Sequence, residues 1–180
     1  MKKSLLRAQS RRGKGFTLIE LLIVIAIIAI LAIIIIVAIN PAAMLQKSRD
    51  SQRFSDVTSL ATAVNLYLAD NKEIATLGGP FLSTDGLNDN ARKLNDGTGW
   101  ITGLDFTTVT SGAPLAALPL DPVNDATYHY VFGVSAQNTY EIMVAFEHSD
   151  NTPKHSADGG NSAGYYEVGT DLTTLVDGDY

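Results

Sequence analysis

Glu20 is an acidic residue at the head of a long apolar stretch, and its position suggests a specific chemical role. Residues 21–39, which follow it, are 19 consecutive apolar residues. A carboxylate placed in membrane hydrocarbon costs roughly 2.5 to 3.5 kcal/mol on insertion scales. We therefore expect Glu20 to find a cationic partner. The alternative is a side chain that reaches toward the membrane edge without a specific partner.

The residue types that usually carry catalysis or bind metals do not form a recognisable catalytic or metal-binding motif in this sequence. His129, His148 and His155 lie at spacings that match no metal site. There is no G-x-S-x-G turn, no phosphate-binding loop and no G-x-G-x-x-G after a predicted strand. Cysteine is absent, which excludes disulfides and thiolate metal sites. We predict that the protein is not an enzyme.

The apolar stretch is long enough for a helix that crosses a membrane. With the residues just before it, it matches the roughly 20 residues that span about 30 Å of hydrocarbon. Six Lys and Arg and no acid lie within residues 1–15. The positive-inside rule then places the N-terminus in the cytoplasm. A removed signal peptide is the alternative, but its apolar core usually has about 7 to 15 residues, and residues 39–43 offer a poor cleavage site.

The remainder of the chain is acidic. Residues 16–180 carry 7 Lys and Arg against 19 Asp and Glu, a net charge of −12. A surface with this charge repels nucleic acid, so we predict no direct nucleic-acid binding.

A second, amphipathic helix is predicted beyond the apolar stretch. Apolar residues recur at spacings of three and four along one face: Val57, Leu60, Ala61, Val64, Tyr67 and Leu68. Pro41 lacks an N–H and crowds the preceding turn, so we expect a kink or melted turn near residues 37–41.

Four runs rich in aromatic and β-branched residues are predicted as strands: residues 100–110, 127–134, 139–147 and 164–169. Turn residues dominate 71–99, which is predicted as a surface loop with one short helical turn near 87–94. In the third run apolar residues alternate with others, Glu141 and Glu147 among them. One face should lie on a core and the other mostly in water. The helix and the sheet would cover each other, giving an α+β fold with a long helix on a small antiparallel sheet.

The junction "RRGKGFTLIE", residues 11–20, resembles the class III signal of type IV prepilins. A short basic leader ends in Gly15, and Phe16, Glu20 and an unbroken apolar helix follow. In that family a membrane peptidase cuts after the glycine, methylates the new N-terminal phenylalanine and leaves the helix in the mature protein. The resemblance implies cleavage between Gly15 and Phe16 and N-methylation of Phe16.

The same resemblance gives Glu20 a partner. Cleavage would create a cationic amino group on Phe16, and in a filament Glu20 can meet this group on an adjacent subunit. In low-dielectric surroundings such a pair would register one helix against the next. The resemblance also implies a homopolymer built through N-terminal helices, with a prepilin peptidase, an assembly platform and an assembly ATPase as partners.

Residues 118–132, "LPLDPVNDATYHYVF", are similar to the segment before the sheet in major pseudopilins of type II secretion. Val123 and Asn124 replace the tryptophan and glycine that are usual there. The local interpretation is a proline-fixed turn that leads into a strand. In that family calcium holds the C-terminal loop, and its candidate ligands here are Asp158, Asp171 and Asp177, although they do not have EF-hand spacing.

Four regions are therefore predicted: a basic leader at 1–15, a membrane-spanning or filament-core helix at 16–39, an amphipathic second half at 40–75 and a globular head at 76–180. We expect a structural subunit of a type IV pilus or related filament. A major pseudopilin is the alternative, and a single-pass membrane-anchored binding module is a third possibility. The precursor would lie in the bacterial inner membrane, and the assembled subunit in an extracellular pilus or a periplasmic pseudopilus.

Overall fold

The computed structural model describes residues 15–175 and divides between Pro41 and Ala42 into two units. Helix α1 (Leu18–Ile39) belongs to the first unit. Thr17 caps its N-terminus, and Asn40, with a left-handed φ of 46°, ends it. Within the described residues, one helical stretch, which contains α1, is long and apolar enough to cross a membrane.

Helix α2 (Pro41–Ala69) begins directly after Asn40, so the interruption predicted near residues 37–41 is present. Five residues of the predicted apolar stripe are buried: Val57, Leu60, Ala61, Val64 and Tyr67. The sixth, Leu68, is partly buried against the same core. These side chains share one cluster with sheet residues such as Tyr130 and Ile142. The predicted packing of the amphipathic helix on the sheet is confirmed.

The sheet has four antiparallel strands in the order β1-β2-β3-β4. They are β1 (Phe81–Leu82), β2 (Tyr130–Val134), β3 (Tyr140–Val144) and β4 (Tyr166–Gly169). A short helix α3 (Asp89–Arg92) lies where a helical turn was expected. Two 3₁₀ helices, Phe106–Thr108 and Thr152–Ser156, complete the elements that the described residues of the head form. The α+β class is confirmed.

The strand predicted at residues 100–110 does not form. This segment folds into turns and the 3₁₀ helix, because Gly103 adopts a φ of 91° and the Asp105 carboxylate accepts the N–H of Thr107 at 2.9 Å. Trp100 and Phe106 are nevertheless buried in the main core. The apolar character of the segment therefore reflects burial of a compact loop and not an extended backbone.

Strand β1 lies instead within residues 71–99, which were expected to form a loop. Phe81 pairs with Phe132, and Leu82 pairs with Val131. A strand of two residues is too short to show an alternating pattern, so its pairing depends on the edge that β2 offers.

The second face of β3 is buried, contrary to the expectation that water would cover most of it. Glu141 and Met143 on this face are fully buried. Leu175 packs with Met143 and Val131 in a separate small cluster. The C-terminal loop covers this face through Leu175, which lies 34 positions after Glu141. The alternation of residues within β3 could not predict this contact, because it carries no information about distant segments.

Candidate assembly site and head anchor

The junction between Gly15 and Phe16 lies just before α1, outside regular secondary structure. Phe16 is 88 % exposed, and nothing lies within 4 Å of the position that a Cβ on Gly15 would take. Exposed chain outside regular structure is where peptidases act most readily. The predicted cleavage and methylation at this junction stay predictions.

Glu20 and Thr17 form a capping box at the start of α1. The Glu20 carboxylate accepts the Thr17 N–H at 2.9 Å and the Thr17 hydroxyl at 2.7 Å. In return, the Thr17 hydroxyl oxygen accepts the Glu20 N–H at 3.2 Å. This exchange satisfies backbone donors that the first turn of a helix leaves without partners. Glu20 therefore has a local structural role in addition to any role between subunits.

The surface of α1 is apolar on every side. Glu20 is its one charged residue, and none of its residues is buried within the described chain. A helix that is hydrophobic all round is stable in a membrane or in the interior of a protein assembly. The described chain supplies no cover for this apolar surface.

A buried arginine joins α2 to two later segments of the head. Arg53 is fully buried, and its guanidinium contacts Asp121 at 2.5 and 2.9 Å, Glu147 at 2.7 Å and Asp50 at 3.0 Å. Burial opposes the charge, but hydrogen bonds with Asp121 and Glu147 outweigh it and raise the pKa of Arg53. The Tyr128 ring lies 4.8 Å from the guanidinium carbon. This charge is balanced by acids and shielded from water.

Asp50 and Arg49 extend the same group of charges. Asp50 accepts the backbone N–H groups of Glu147 and His148 at 2.8 and 2.9 Å, and the amide of Asn151 at 2.9 Å. Arg49 donates two hydrogen bonds to Glu147, and these bonds hold the pKa of Glu147 below its ordinary value. We define the head anchor as Arg49, Asp50, Arg53, Asp121 and Glu147.

Asp121 is the aspartate of the "LPLDP" segment, and it has two roles. Its carboxylate accepts the N–H groups of Val123 and Asn124 at 2.8 and 3.2 Å, which shapes the turn before β2. It also binds Arg53. Asn124 adopts a left-handed φ of 52°, a conformation that asparagine tolerates better than most residues other than glycine. Asparagine can therefore replace the glycine that the resemblance leads one to expect.

The head anchor is the site that the sequence did not predict. A signal for it was present, because Asp50 and Arg53 precede Val57 and Leu60 at the same spacings of three and four. Charged residues that continue an apolar stripe are expected to be buried and paired. The acids that pair with Arg53 from outside α2 are 68 and 94 positions away, and no local pattern connects them to it.

The three histidines serve the local structure of the head. His155 Nε2 accepts the N–H of Phe146 at 3.1 Å, and burial lowers the pKa of His155. His148 Nδ1 accepts the N–H of Asp150, and His129 Nδ1 lies 3.0 Å from the carbonyl oxygen of Asp125.

The calcium candidates accept hydrogen bonds within their own loops. Asp158 accepts the N–H groups of Gly160 and Glu167 at 3.0 and 2.8 Å, and Asp171 accepts the N–H of Thr173 at 3.1 Å. Among residues 15–175, no three His, Cys, Asp or Glu side chains are grouped so as to hold a metal ion. Asp177 lies outside the described residues. The described side chains thus identify no metal ligand, and calcium binding stays a prediction.

One family model matches the chain: the prokaryotic N-terminal methylation motif, over residues 10–36. The matched range contains the Gly15–Phe16 junction, Glu20 and most of α1. The signal predicted from residues 11–20 is confirmed by this match. No curated protein and no solved structure matches the chain.

Proposed function

We propose that this chain, whose N-terminus carries a type IV pilin-like class III signal, is a structural subunit of a type IV pilus or related filament. The methylation motif supports a subunit of the type IV pilin or pseudopilin type, and it is the observation that carries the proposal. It points to a structural protein, and we expect no enzymatic activity. Cleavage at this motif would leave α1 at the very start of the mature chain.

The surface of α1 supplies the physical reason for polymerisation. Before assembly the helix would lie in the inner membrane, and after assembly it would lie among the helices of other subunits. Relative to water, burial of apolar surface contributes about 25 cal/mol per Å², so a helix that has left the lipid would be held among the helices of other subunits. Because lipid is also apolar, removal from the membrane would require an assembly platform and an ATPase.

Processing would come before assembly. A prepilin peptidase would cut between Gly15 and Phe16 and methylate the new amino group. Glu20 would then meet the amino group of Phe16 on an adjacent subunit and set the register of neighbouring helices. The head would remain outside the membrane, on an extracellular pilus in the leading proposal.

The first test is the N-terminus of the protein purified from its own cells, together with its location. Mass spectrometry should find a chain that starts at methylated Phe16. Electron microscopy of sheared surface material, with an antibody against the head, should show labelled filaments. A chain that retains Met1 and never appears in filaments would contradict the proposal and favour a membrane-anchored binding module.

A major pseudopilin is the second candidate, and the "LPLDP" segment favours it. In this chain Asp121 of that segment binds Arg53, so the segment contributes to holding α2 on the head. Deletion of the gene separates the two functions. A pilus subunit should be required for surface filaments, whereas a pseudopilin should be required for the release of secreted proteins into the medium.

A further inference from the structure

Two glutamates lie together beneath the C-terminal loop. Glu141 on β3 pairs with Gly169, and its neighbour Met143 pairs with Glu167 on β4, so the two acids are diagonal neighbours on one face. Side chains in this relation are close enough to interact when they are long. Glu141 is 0 % and Glu167 is 2 % exposed. We name them the acid pair.

The hydrogen bonds of the acid pair are unequal. Glu167 uses both oxygens, accepting the N–H groups of Ser162 at 2.8 Å and Asn161 at 3.3 Å. Glu141 Oε2 accepts the N–H of Leu175 at 2.7 Å. Glu141 Oε1 is buried and has no N–H or hydroxyl donor among residues 15–175. Of the four carboxyl oxygens, this one alone lacks such a donor in the described chain, and it is the one placed to carry a proton.

The surroundings of the acid pair supply no described positive charge. Neither glutamate is in a salt bridge within residues 15–175. On the same face, β2 contributes only Val131 and Gly133, which do not titrate. The titratable groups on the segments around the pair are acidic or phenolic: Asp158, Asp171 and Tyr165.

The 3₁₀ helix Thr152–Ser156 also packs against β4, and it carries two basic residues. Lys154 and His155 both lie against the Phe146 ring, which belongs to the main core on the opposite face of the sheet. Both residues thus contact the main core, and no salt bridge within residues 15–175 joins either of them to the acid pair. Two ionised carboxylates in such a site would be strongly unfavourable, because buried charge needs a partner of opposite sign.

We propose that Glu141 and Glu167 share one proton at neutral pH, that Glu141 Oε1 donates this proton to the Glu167 carboxylate, and that the shared proton holds the C-terminal loop on the sheet. The loop segments involved are those that donate to the pair, around Ser162 and Leu175. With one proton present, all four oxygens have partners and the pair carries one negative charge.

The electrostatics of the site agree with this geometry. Burial, and next the hydrogen bond with Glu167, raise the pKa of Glu141 to about 8. A folded-state pKa above the unfolded value stabilises the fold fully below the unfolded pKa of about 4.5, and this stabilisation is lost as the pH rises through about 8. Above that pH two negative charges would lie side by side, and the loop would be released from the sheet.

The test uses the full-length protein in detergent, with the fluorescence of Trp100, the one tryptophan of the chain, as the signal of unfolding. In Glu141→Gln the amide donates the same hydrogen bond to Glu167 but cannot lose the proton. The wild-type Tm should fall by about 6 °C between pH 6.5 and 9, as expected for a pKa of about 8 in a head of this size. The Tm of Glu141→Gln should be nearly constant over this range. Glu73→Gln, at an exposed position, is the matched control and should follow the wild type.

A second measurement detects the proton itself. The infrared C=O band of a protonated carboxyl group should be present at pH 7 in the wild type and lost in Glu141→Gln. Absence of this band from folded wild-type protein would overturn the proposal, as would an equal fall of Tm in the variant. Calcium added at pH 7 should change the Tm of the wild type and of Glu141→Gln by the same amount, because the proposal needs no metal ion at the acid pair. An increase seen in the wild type but not in Glu141→Gln would mean that a metal ion, and not a proton, neutralises the pair.

Discussion

Glu20 has a local structural role and a proposed role between subunits, and different substitutions can separate the two. Its carboxylate completes the capping box with Thr17, which stabilises the first turn of α1 in the single chain. Its charge would pair with the amino group of Phe16 on a neighbouring subunit. The cap depends on an oxygen acceptor at residue 20, whereas the ion pair depends on a negative charge.

Substitutions at Glu20 and Thr17 test this separation. Glu20→Gln keeps the cap, because glutamine also completes a capping box, but removes the charge. We expect normal membrane insertion and processing. The yield of filaments should fall roughly tenfold, which corresponds to the loss of an ion pair that contributes about 1.4 kcal/mol. Glu20→Ala should behave in the same way.

The matched control is Thr17→Ala, which weakens the cap by about 1 kcal/mol and keeps the charge. It should still form filaments. The yield is measured by immunoblotting of sheared filaments against total protein. Filaments from Glu20→Gln at the wild-type level would show that the cap suffices and that the charge is not required.

At the scale of elements, the head is held together by α2 and its contacts. One side of α2 provides an apolar stripe, and the head anchor extends this buried face toward the N-terminus of the helix. Arg53 contacts the turn before β2 through Asp121 and the segment after β3 through Glu147. The arginine therefore fixes the position of α2 relative to both segments.

Arg53→Met should destabilise the head strongly. Methionine preserves much of the buried volume but leaves the carboxylates around it without their cation. Removal of one partner from a buried ion pair typically costs about 3 to 5 kcal/mol. Urea unfolding followed by Trp100 fluorescence measures the change in the free energy of unfolding.

Lys47→Met is the control for this change. Lys47 pairs with Asp150 at 2.6 Å, but both side chains are more than half exposed. The free energy of unfolding should therefore fall by less than about 1 kcal/mol. If the free energy of unfolding fell equally in Arg53→Met and Lys47→Met, the burial of Arg53 would add nothing to the stability that its ion pairs provide.

At the scale of the whole molecule, the pKa shifts of different groups have opposite effects on how stability depends on pH. Hydrogen bonds lower the pKa of several carboxyl groups of the head: Asp70, Asp96, Asp125, Glu147 and Asp150. Their contribution to stability is present above the ordinary carboxyl range near pH 4 and is lost as the pH falls through their lowered pKa values. Burial lowers the pKa of His155, whose contribution is likewise lost in acid. The raised pKa of Glu141 acts in the opposite direction, because its contribution to stability declines as the pH rises from about 4.5 to about 8.

We therefore expect the free energy of unfolding to be highest near pH 5 and to fall on both sides, because the contribution of Glu141 declines between its unfolded pKa of about 4.5 and about pH 8. Urea titrations of the full-length protein in detergent, from pH 3 to 9, measure this curve. Glu141→Gln should remove the fall between about pH 5 and 8 and leave the fall in acid in place. Stability that rose steadily up to pH 9 would contradict the expected balance.

Several features of this protein follow from the sequence by itself. The spacing from Gly15 to Glu20, the length of the apolar stretch and the stripe of α2 are local properties, and the residues that create them are neighbours in the chain. Strands β2, β3 and β4 were predicted for the same reason, because the β-branched and aromatic residues of each strand are adjacent.

Only the tertiary structure decided which distant residues meet. Arg53 and Asp121 are 68 positions apart, and Glu141 receives the N–H of Leu175 from 34 positions later. The aromatic and β-branched residues of 100–110 led to the prediction of a strand, but the segment is a buried loop, and this residue composition does not distinguish the two. The sequence therefore determined the N-terminal signal and its helix, whose requirements are local. The head anchor and the acid pair exist because folding brings separate charged segments into one interior, where each charge or proton must find a partner.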